Sequence, residues 1–257
     1  MDMQLKDGFL ERWAKYFPGA DLPVVFYYTD DPGEVRAAGE PKGWRCFIGA
    51  LAKTRSGEPL AFDNAAVTCR GGKRYLGFTS ELFPKFDYFL SCGLDGEVEG
   101  ERYKKTPELV RQLMYGFEDL PAPARYIVFK RWDGLEEPDS PEGVVFFTYG
   151  DILSGLFTLA NFDRADSEGV FAPFSAGCGS IVRFVRLEAR KENPRAVLGM
   201  FDVSARPTVE GEQLSFSVPF EMFRRMVGNM DESFLITESW DKVRKRIAGA
   251  TANGRKR

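Results

Sequence analysis

The stretch Leu22–Thr29, LPVVFYYT, indicates the fold class of this 257-residue chain. A continuous apolar and β-branched run of this length is typical of a strand at the centre of a sheet, buried on both faces. Two further runs, Tyr126–Trp132 and Val144–Tyr149, have the same character. Helical periodicity is found at 4–17 and 238–247. The sequence therefore predicts an α+β protein with helices packed on a mixed sheet.

The two halves of the chain resemble each other. Val24–Tyr27 is similar to Val144–Phe147, and a phenylalanine precedes both Cys69 and Cys178 by the same interval. Each of these cysteines is followed by an arginine and an aromatic residue at a matching distance: Arg74 and Tyr75, and Arg183 and Phe184. These matches predict two diverged copies of a strand–helix–strand–cysteine–helix–strand unit.

The predicted copies span 20–118 and 125–230. We expect them to form one globular unit over 1–257, with a helical N-terminal segment at 4–17 and a C-terminal helix at 238–247. Residues 250–257 are predicted to be a disordered tail, because they are weakly patterned and end in a short basic run.

The composition argues against nucleic-acid and membrane partners. The net charge is −3 and the pI is about 5.4, so no basic field favours nucleic acid. The N-terminus carries acidic residues where a signal peptide needs a basic region. The longest apolar stretch, 143–162, contains Asp151 and Asn161 and is typical of a buried strand and helix. We expect a soluble, cytoplasmic protein and leave a homo-oligomer open.

Histidine is absent from the sequence. This excludes Ser-His-Asp and Cys-His catalysis and every zinc site that needs imidazole. If the protein is an enzyme, its chemistry is thiol- or metal-dependent and does not use histidine.

The four cysteines, Cys46, Cys69, Cys92 and Cys178, match no zinc-knuckle, thioredoxin or ferredoxin spacing. In a reducing cytoplasm we expect free thiols. Three of them, Cys46, Cys69 and Cys178, precede predicted helices and have glycines nearby. Cys92 falls in a predicted strand, Asp87–Leu94, where packing is the expected role.

Cys69 is the candidate nucleophile or ligand, in the stretch VTCRGGKRYLGF. Gly71 and Gly72 allow close approach of a ligand to the backbone, and Arg70 favours an anion. A helix N-terminus beside these cations is expected to lower the pKa of the thiol. The alternative is a tight glycine turn in which Cys69 only fills a small core space.

Cys178 lies in the stretch FSAGCGS, between Gly177 and Gly179 and before Ser180. Its small neighbours allow a ligand or another backbone to come close, and the serine hydroxyl can donate a hydrogen bond. The alternative is a helix start at which the glycines serve packing alone.

The motifs LPVVFYY, WRCFIGALAK, VTCRGGKRYLGF and AGCGS together resemble the bacterial and archaeal family called domain of unknown function 169. The resemblance covers roughly 22–226 and includes Cys46, Cys178 and the element Cys69–Gly77. The sequence departs from the family pattern before the first strand, where it has Leu-Pro in place of Pro-Pro. The resemblance implies that the three cysteines act as one group, and it supplies no substrate.

Two functions follow from these patterns. The first is binding of a small ligand, a soft metal or an iron–sulfur cluster at a site between the two halves. Its candidate metal ligands are Cys46, Cys69 and Cys178. Its candidate ligand-binding residues are Arg70, Gly71, Gly72, Gly177, Gly179 and Ser180. The second is a non-catalytic structural or protein-interaction role, in which the cysteines only pack.

Overall fold

The computed structural model describes residues 1–252. Its strands are β1 (Val24–Thr29), β2 (Leu60–Phe62), β3 (Tyr126–Arg131), β4 (Gly143–Thr148), β5 (Val170–Phe171), β6 (Ala196–Gly199) and β7 (Leu214–Pro219). Its helices are α1 (Met3–Tyr16), α2 (Phe47–Ala50), α3 (Ala52–Arg55), α4 (Arg70–Tyr75), α5 (Phe86–Phe89), α6 (Pro107–Tyr115), α7 (Gly150–Ala160), α8 (Phe184–Glu188), α9 (Phe220–Asn229) and α10 (Glu238–Ala252). A π-helical segment, Gly179–Arg183, leads into α8.

The strands form one mixed sheet, which has seven strands within 1–252 in the order β2-β3-β1-β4-β7-β6-β5. β1 lies between β3 and β4 and pairs antiparallel with both, so that Val25 is opposite Lys130 on one side and Val144 on the other. The pair β5–β6 is parallel, whereas the remaining neighbours are antiparallel. The α+β prediction is confirmed, and Val24–Thr29 is an interior strand of the sheet with a neighbour on each side.

One face of the sheet carries a large aromatic core against α1, α7, α9 and α10. Phe9 and Trp13 of α1 contact Phe146 of β4, and Phe9 also contacts Trp132 and Phe223 edge-on. Each such ring pair adds about 0.5–1.5 kcal/mol to the free energy gained from burial alone. This face therefore accounts for much of the burial that stabilises the protein.

The opposite face carries the cysteine-bearing segments. Phe26 and Phe129 pack there with Phe47 of α2 and Phe62 of β2. Successive side chains of a strand alternate between faces, so the buried Ser215 of β7 lies on this face, opposite the core residue Phe216. The π-helical segment and α8 pack against β6 and β7.

The chain divides into two compact units: residues 1–76 together with the residues from 122 onward, and residues 77–121. This division does not coincide with the predicted halves, 20–118 and 125–230. β1 and β4, which the internal similarity aligns, lie side by side. The strand before Cys69 pairs antiparallel with β3, whereas the strand before Cys178 pairs parallel with β6. The duplication stays a prediction.

The second unit contains α5, α6 and Cys92. The strand predicted at Asp87–Leu94 is wrong, because the chain there forms α5 followed by a turn. Phe83, Phe86 and Phe89 are three residues apart, and a helical turn brings their rings into contact. Cys92 is exposed, so the expected packing role is wrong as well.

Where the sequence predicts helical segments at 4–17 and 238–247, the structure has α1 at Met3–Tyr16 and α10 at Glu238–Ala252. The predicted tail at 250–257 overlaps the last turn of α10, and 253–257 lie outside the described residues. Among the helices that the structure describes, none has the length and apolarity needed to cross a membrane.

We predict that Asp231 makes stability depend on pH in acid. Hydrogen bonds from Tyr16, Lys15 and Arg12 lower the pKa of this carboxyl to about 2. The stabilisation is thus complete above the ordinary pKa of about 3.9, and it is lost as the pH falls toward 2. Because Asp231 is partly exposed, we expect Asp231→Asn to cost about 1 kcal/mol or less at neutral pH.

Urea unfolding between neutral pH and pH 2 measures this effect. The Asp231→Asn protein should lose less stability in acid than the wild type. Glu11→Gln, which removes an exposed charge from α1, the helix that carries Arg12, Lys15 and Tyr16, is the control. Identical acid profiles for the Asp231→Asn protein and the wild type would contradict the prediction.

Candidate functional site

Cys46 and Cys69 each precede the first turn of a short helix, as the sequence predicts. Cys46 caps α2 with its backbone, and the Cys69 sulfur accepts a hydrogen bond from Gly72 N at 3.4 Å at the start of α4. Arg45 N donates to Thr68 Oγ1 at 3.1 Å, which joins the residue before Cys46 to the residue before Cys69. Both thiols are half-buried. The two helix starts therefore lie side by side.

Cys178 is buried, with 5% of its surface exposed, and stands at the start of the π-helical segment Gly179–Arg183. Ser180 Oγ donates to Gly177 O at 2.8 Å, which closes the first turn at the start of this segment. Short π-helical turns are rare and are frequently found at functional sites. The small residues around Cys178 thus belong to an irregular, close-packed turn and not to a regular helix.

Glycine allows the Cys46 and Cys69 segments to approach each other. A methyl group on Gly72 would lie 3.3 Å from Phe47 Cβ and 3.0 Å from Val67 Cγ1. Since Phe47 follows Cys46, this contact packs α4 directly on α2. The sequence predicts that Gly72 lets a ligand approach the backbone, and the atoms that lie against it in the structure belong to the protein itself.

The Cys178 segment meets both of the other segments, again through glycines. A methyl group on Gly177 would lie 3.1 Å from Ile48 Cγ1 of α2, and one on Gly179 would lie 2.8 Å from Tyr75 Cδ1 of α4. A methyl group on Gly179 would also collide with the Ser175 hydroxyl. Each cysteine-bearing segment therefore touches the other two.

The structure does not bring every predicted residue into this contact. Arg70 is exposed on the first turn of α4, and a methyl group on Gly71 would come no nearer than 4.0 Å to any atom outside its immediate neighbours, that atom being the Cys69 sulfur. Among the residues that the structure describes, no group of three or more His, Cys, Asp or Glu side chains could hold a metal ion. The three thiols are neighbours without forming a preassembled three-ligand site.

The thiols of Cys69 and Cys178 are held in the protonated form. Burial raises the pKa of Cys178 well above its usual value, and the electrostatic influence of Cys69, Cys46 and Asp202 raises it further. Burial also raises the pKa of Cys69, although the backbone amides of Gly72 and two other residues partly oppose this. The lowered pKa expected from a helix N-terminus and nearby cations is therefore wrong for Cys69, because desolvation outweighs both.

Three residues that are not among the predicted site residues also lie here. Tyr75 packs its ring on Gly179, and burial raises the pKa of its phenol. Asp202 accepts a hydrogen bond from Gly177 N at 3.3 Å. The Met200 sulfur lies beside Gly177, where a methyl group would approach it to 2.8 Å. Of the three, only Asp202 could be selected from the sequence, as an acid beside an apolar run.

This arrangement favours binding of a soft ion over nucleophilic attack. A nucleophile needs a thiolate, and the raised pKa of Cys69 reduces the thiolate fraction at neutral pH. A coordinated metal ion displaces the thiol proton and replaces it with a bond to sulfur. Sulfur ligands select soft ions such as Cu(I) and other thiophilic metals.

We predict that Gly179→Ala destabilises the protein and that Gly71→Ala does not, although both replace glycine by alanine near a cysteine. The Gly179 methyl group would collide with Ser175 and press on Tyr75, which should cost about 1–3 kcal/mol in urea unfolding. The Gly71 methyl group meets only ordinary contacts, so this helical alanine should be neutral or stabilise by up to about 1 kcal/mol. Equal costs for the two variants would contradict the packing described here.

We predict that the thiols react with iodoacetamide in an order set by burial. Cys92 should react first, and Cys178 only after unfolding. Because its pKa is raised, Cys69 should reach its full rate at a higher pH than a cysteine in a short peptide. Peptide mass spectrometry of timed samples measures each rate. Rapid labelling of Cys178 in the native protein at neutral pH would contradict this prediction.

Comparison with known proteins identifies the family of the chain. The model of the family DUF169, described as "Uncharacterised ArCR", matches residues 20–229. No curated protein and no solved structure matches the chain. The matched region contains every strand of the sheet and all three cysteine-bearing segments. The chain therefore belongs to the DUF169 family.

Proposed function

We propose that the protein binds a soft metal ion through Cys46, Cys69 and Cys178. The observation that carries this proposal is the glycine-mediated contact of every cysteine-bearing segment with the other two. If each thiol only filled space in the core, the three segments that carry them would not need to contact one another. Metal binding, in contrast, requires ligands from separate segments to meet.

The close packing favours a single ion over a larger group. Gly177 lies against side-chain atoms of Ile48 and Met200, and Gly179 lies against the ring of Tyr75. Little space is left for the several iron and sulfide atoms of a cluster. A single ion occupies less space, and binding it requires the three thiols to move into place, because they are not arranged as a metal site within the described residues.

The raised pKa values of Cys69 and Cys178 oppose metal binding, because the metal binds the thiolate form. At neutral pH each protonated thiol must release its proton when the metal binds. The affinity should therefore rise with pH, and metal uptake should acidify an unbuffered solution. A cytoplasmic location, where thiols stay reduced, is part of this proposal. A catalytic role is not, because the buried Cys178 lacks access to substrate.

Titration of the reduced protein with Cd(II) under anaerobic conditions tests the proposal. Cd(II) bound to thiolates gives an ultraviolet charge-transfer absorption, which should saturate at one equivalent with release of protons. Cys46→Ser, Cys69→Ser and Cys178→Ser should each reduce the absorption and weaken binding. Cys92→Ser is the matched control, because it removes an exposed thiol from the second unit.

The outcomes separate the candidate functions. Loss of binding in the three variants but not in Cys92→Ser would support the proposal. Visible absorbance with stoichiometric iron and sulfide in the isolated protein would show that the site holds an iron–sulfur cluster and not a single ion. Failure of the wild type to bind Cd(II) would overturn the metal site and leave the cysteines with a packing role.

A further inference from the structure

Cys46 and Cys69 lie on segments that contact each other on both sides of Cys46. Arg45 N donates a hydrogen bond to Thr68 Oγ1 at 3.1 Å, so the residue before Cys46 contacts the residue before Cys69. On the other side of Cys46, the backbone amide of Phe47 donates a hydrogen bond to the Cys69 sulfur. Adjacent residues are only about 3.8 Å apart along the chain, measured between Cα atoms. Cys46 is therefore held beside Cys69 by both of its neighbours.

The packing of α4 on α2 keeps this arrangement close. A methyl group on Gly72 would lie 3.3 Å from Phe47 Cβ and 3.5 Å from Cys69 Cβ, so one small space separates the two backbones. Cys46 and Cys69 also interact electrostatically. A disulfide joins residues whose Cβ atoms are about 3.5–4.5 Å apart, so it forms only between backbones that already pack closely. These two segments pack in this way.

Both thiols can be reached by a small reagent. Cys46 and Cys69 are half-buried, whereas Cys178 is buried with 5% of its surface exposed. Outside its own helix backbone and adjacent residues, a methyl group on Gly71 would meet only the Cys69 sulfur, at 4.0 Å. The space on that side of the sulfur is therefore open. A reagent from solvent can approach the pair, while Cys178 is closed to it.

We propose that Cys46 and Cys69 form a reversible disulfide by exchange with a small-molecule disulfide. This inference goes beyond the proposed function, because it needs two thiols and no metal ion. Disulfides of cytosolic proteins are usually transient and serve catalysis or redox sensing. The bond would also withdraw both thiols from the proposed metal site, so that oxidation and metal binding exclude each other.

The exchange balances without any further reactant. The thiolate of one cysteine attacks a sulfur of the small disulfide, which forms a mixed disulfide and releases one small thiolate. The thiolate of the other cysteine then attacks the protein sulfur of this mixed disulfide and releases the second small thiolate. The two protons lost by the protein are taken up by the two released thiolates. The protein loses two electrons, and the small disulfide gains them.

Equilibration of the reduced chain with glutathione disulfide in mildly alkaline buffer tests the proposal. Free thiols are then blocked with N-ethylmaleimide, and the protein is digested with trypsin without reduction. Trypsin separates Cys46, in peptide 46–53, from Cys69, in peptide 56–70, so that a disulfide between them gives one linked pair of peptides. We expect mass spectrometry to show this linked pair as the main disulfide within the protein, and dithiothreitol should reverse it.

The same reaction in urea is the control for pairing by chance. Packed segments hold the two thiols together, whereas the unfolded chain must first close a loop. We therefore expect the ratio of linked to unlinked Cys46 and Cys69 to be about tenfold or more higher in the native protein than in urea. Cys92→Ser, which removes an exposed thiol from the second unit, should leave this ratio unchanged. Cys46→Ser should leave Cys69 as a mixed disulfide with glutathione.

Unreacted thiols or separate mixed disulfides at Cys46 and Cys69 in the native wild type would overturn the proposal, as would a ratio no higher than in urea. None of these results bears on Cd(II) binding by the reduced protein. Conversely, a linked pair in a protein that fails to bind Cd(II) would support the disulfide and overturn the metal site. The two proposals are therefore tested separately.

Discussion

The antiparallel pairing of β1 with β3 and β4 is the constraint on which the rest of the structure depends. Because β1 is central, its side chains point alternately into two different layers. Val25 joins the aromatic core, whereas Phe26 packs under the cysteine-bearing segments. A shift of one residue in this register would exchange the two sets and leave neither layer filled. The position of the cysteine-bearing segments therefore depends on a strand that contains no cysteine.

The two faces of the sheet differ in the regularity of their helices, and this difference explains how the site can be irregular. One face is supported by long helices and stacked rings, which supply burial in quantity. The other face holds very short helices, a π-helical turn and a left-handed methionine. Such features weaken a fold locally, and they are tolerated where the surrounding structure fixes them. Here the rigid sheet and the core behind it provide that support.

Sequence reasoning was successful where the signal was local. The length and composition of Val24–Thr29 identify a buried strand, and the small residues around Cys69 and Cys178 identify close backbone contacts. It failed where the answer depended on distant residues. The pKa of Cys69 follows from burial by segments far along the chain, and the contact of Tyr75 with Gly179 joins residues on different segments. Methionine does not favour the left-handed conformation, so nothing in the sequence predicts that Met200 adopts it.

The outer strands of the sheet are short: β2 has three residues and β5 has two. An exposed strand edge is a template on which another chain can continue the sheet. A longer edge strand offers more unpaired backbone N–H and C=O groups for this pairing. Edges this short offer few free backbone groups for that purpose. Within the described residues, copies of this protein therefore have little means of joining edge to edge into ribbons or fibrils.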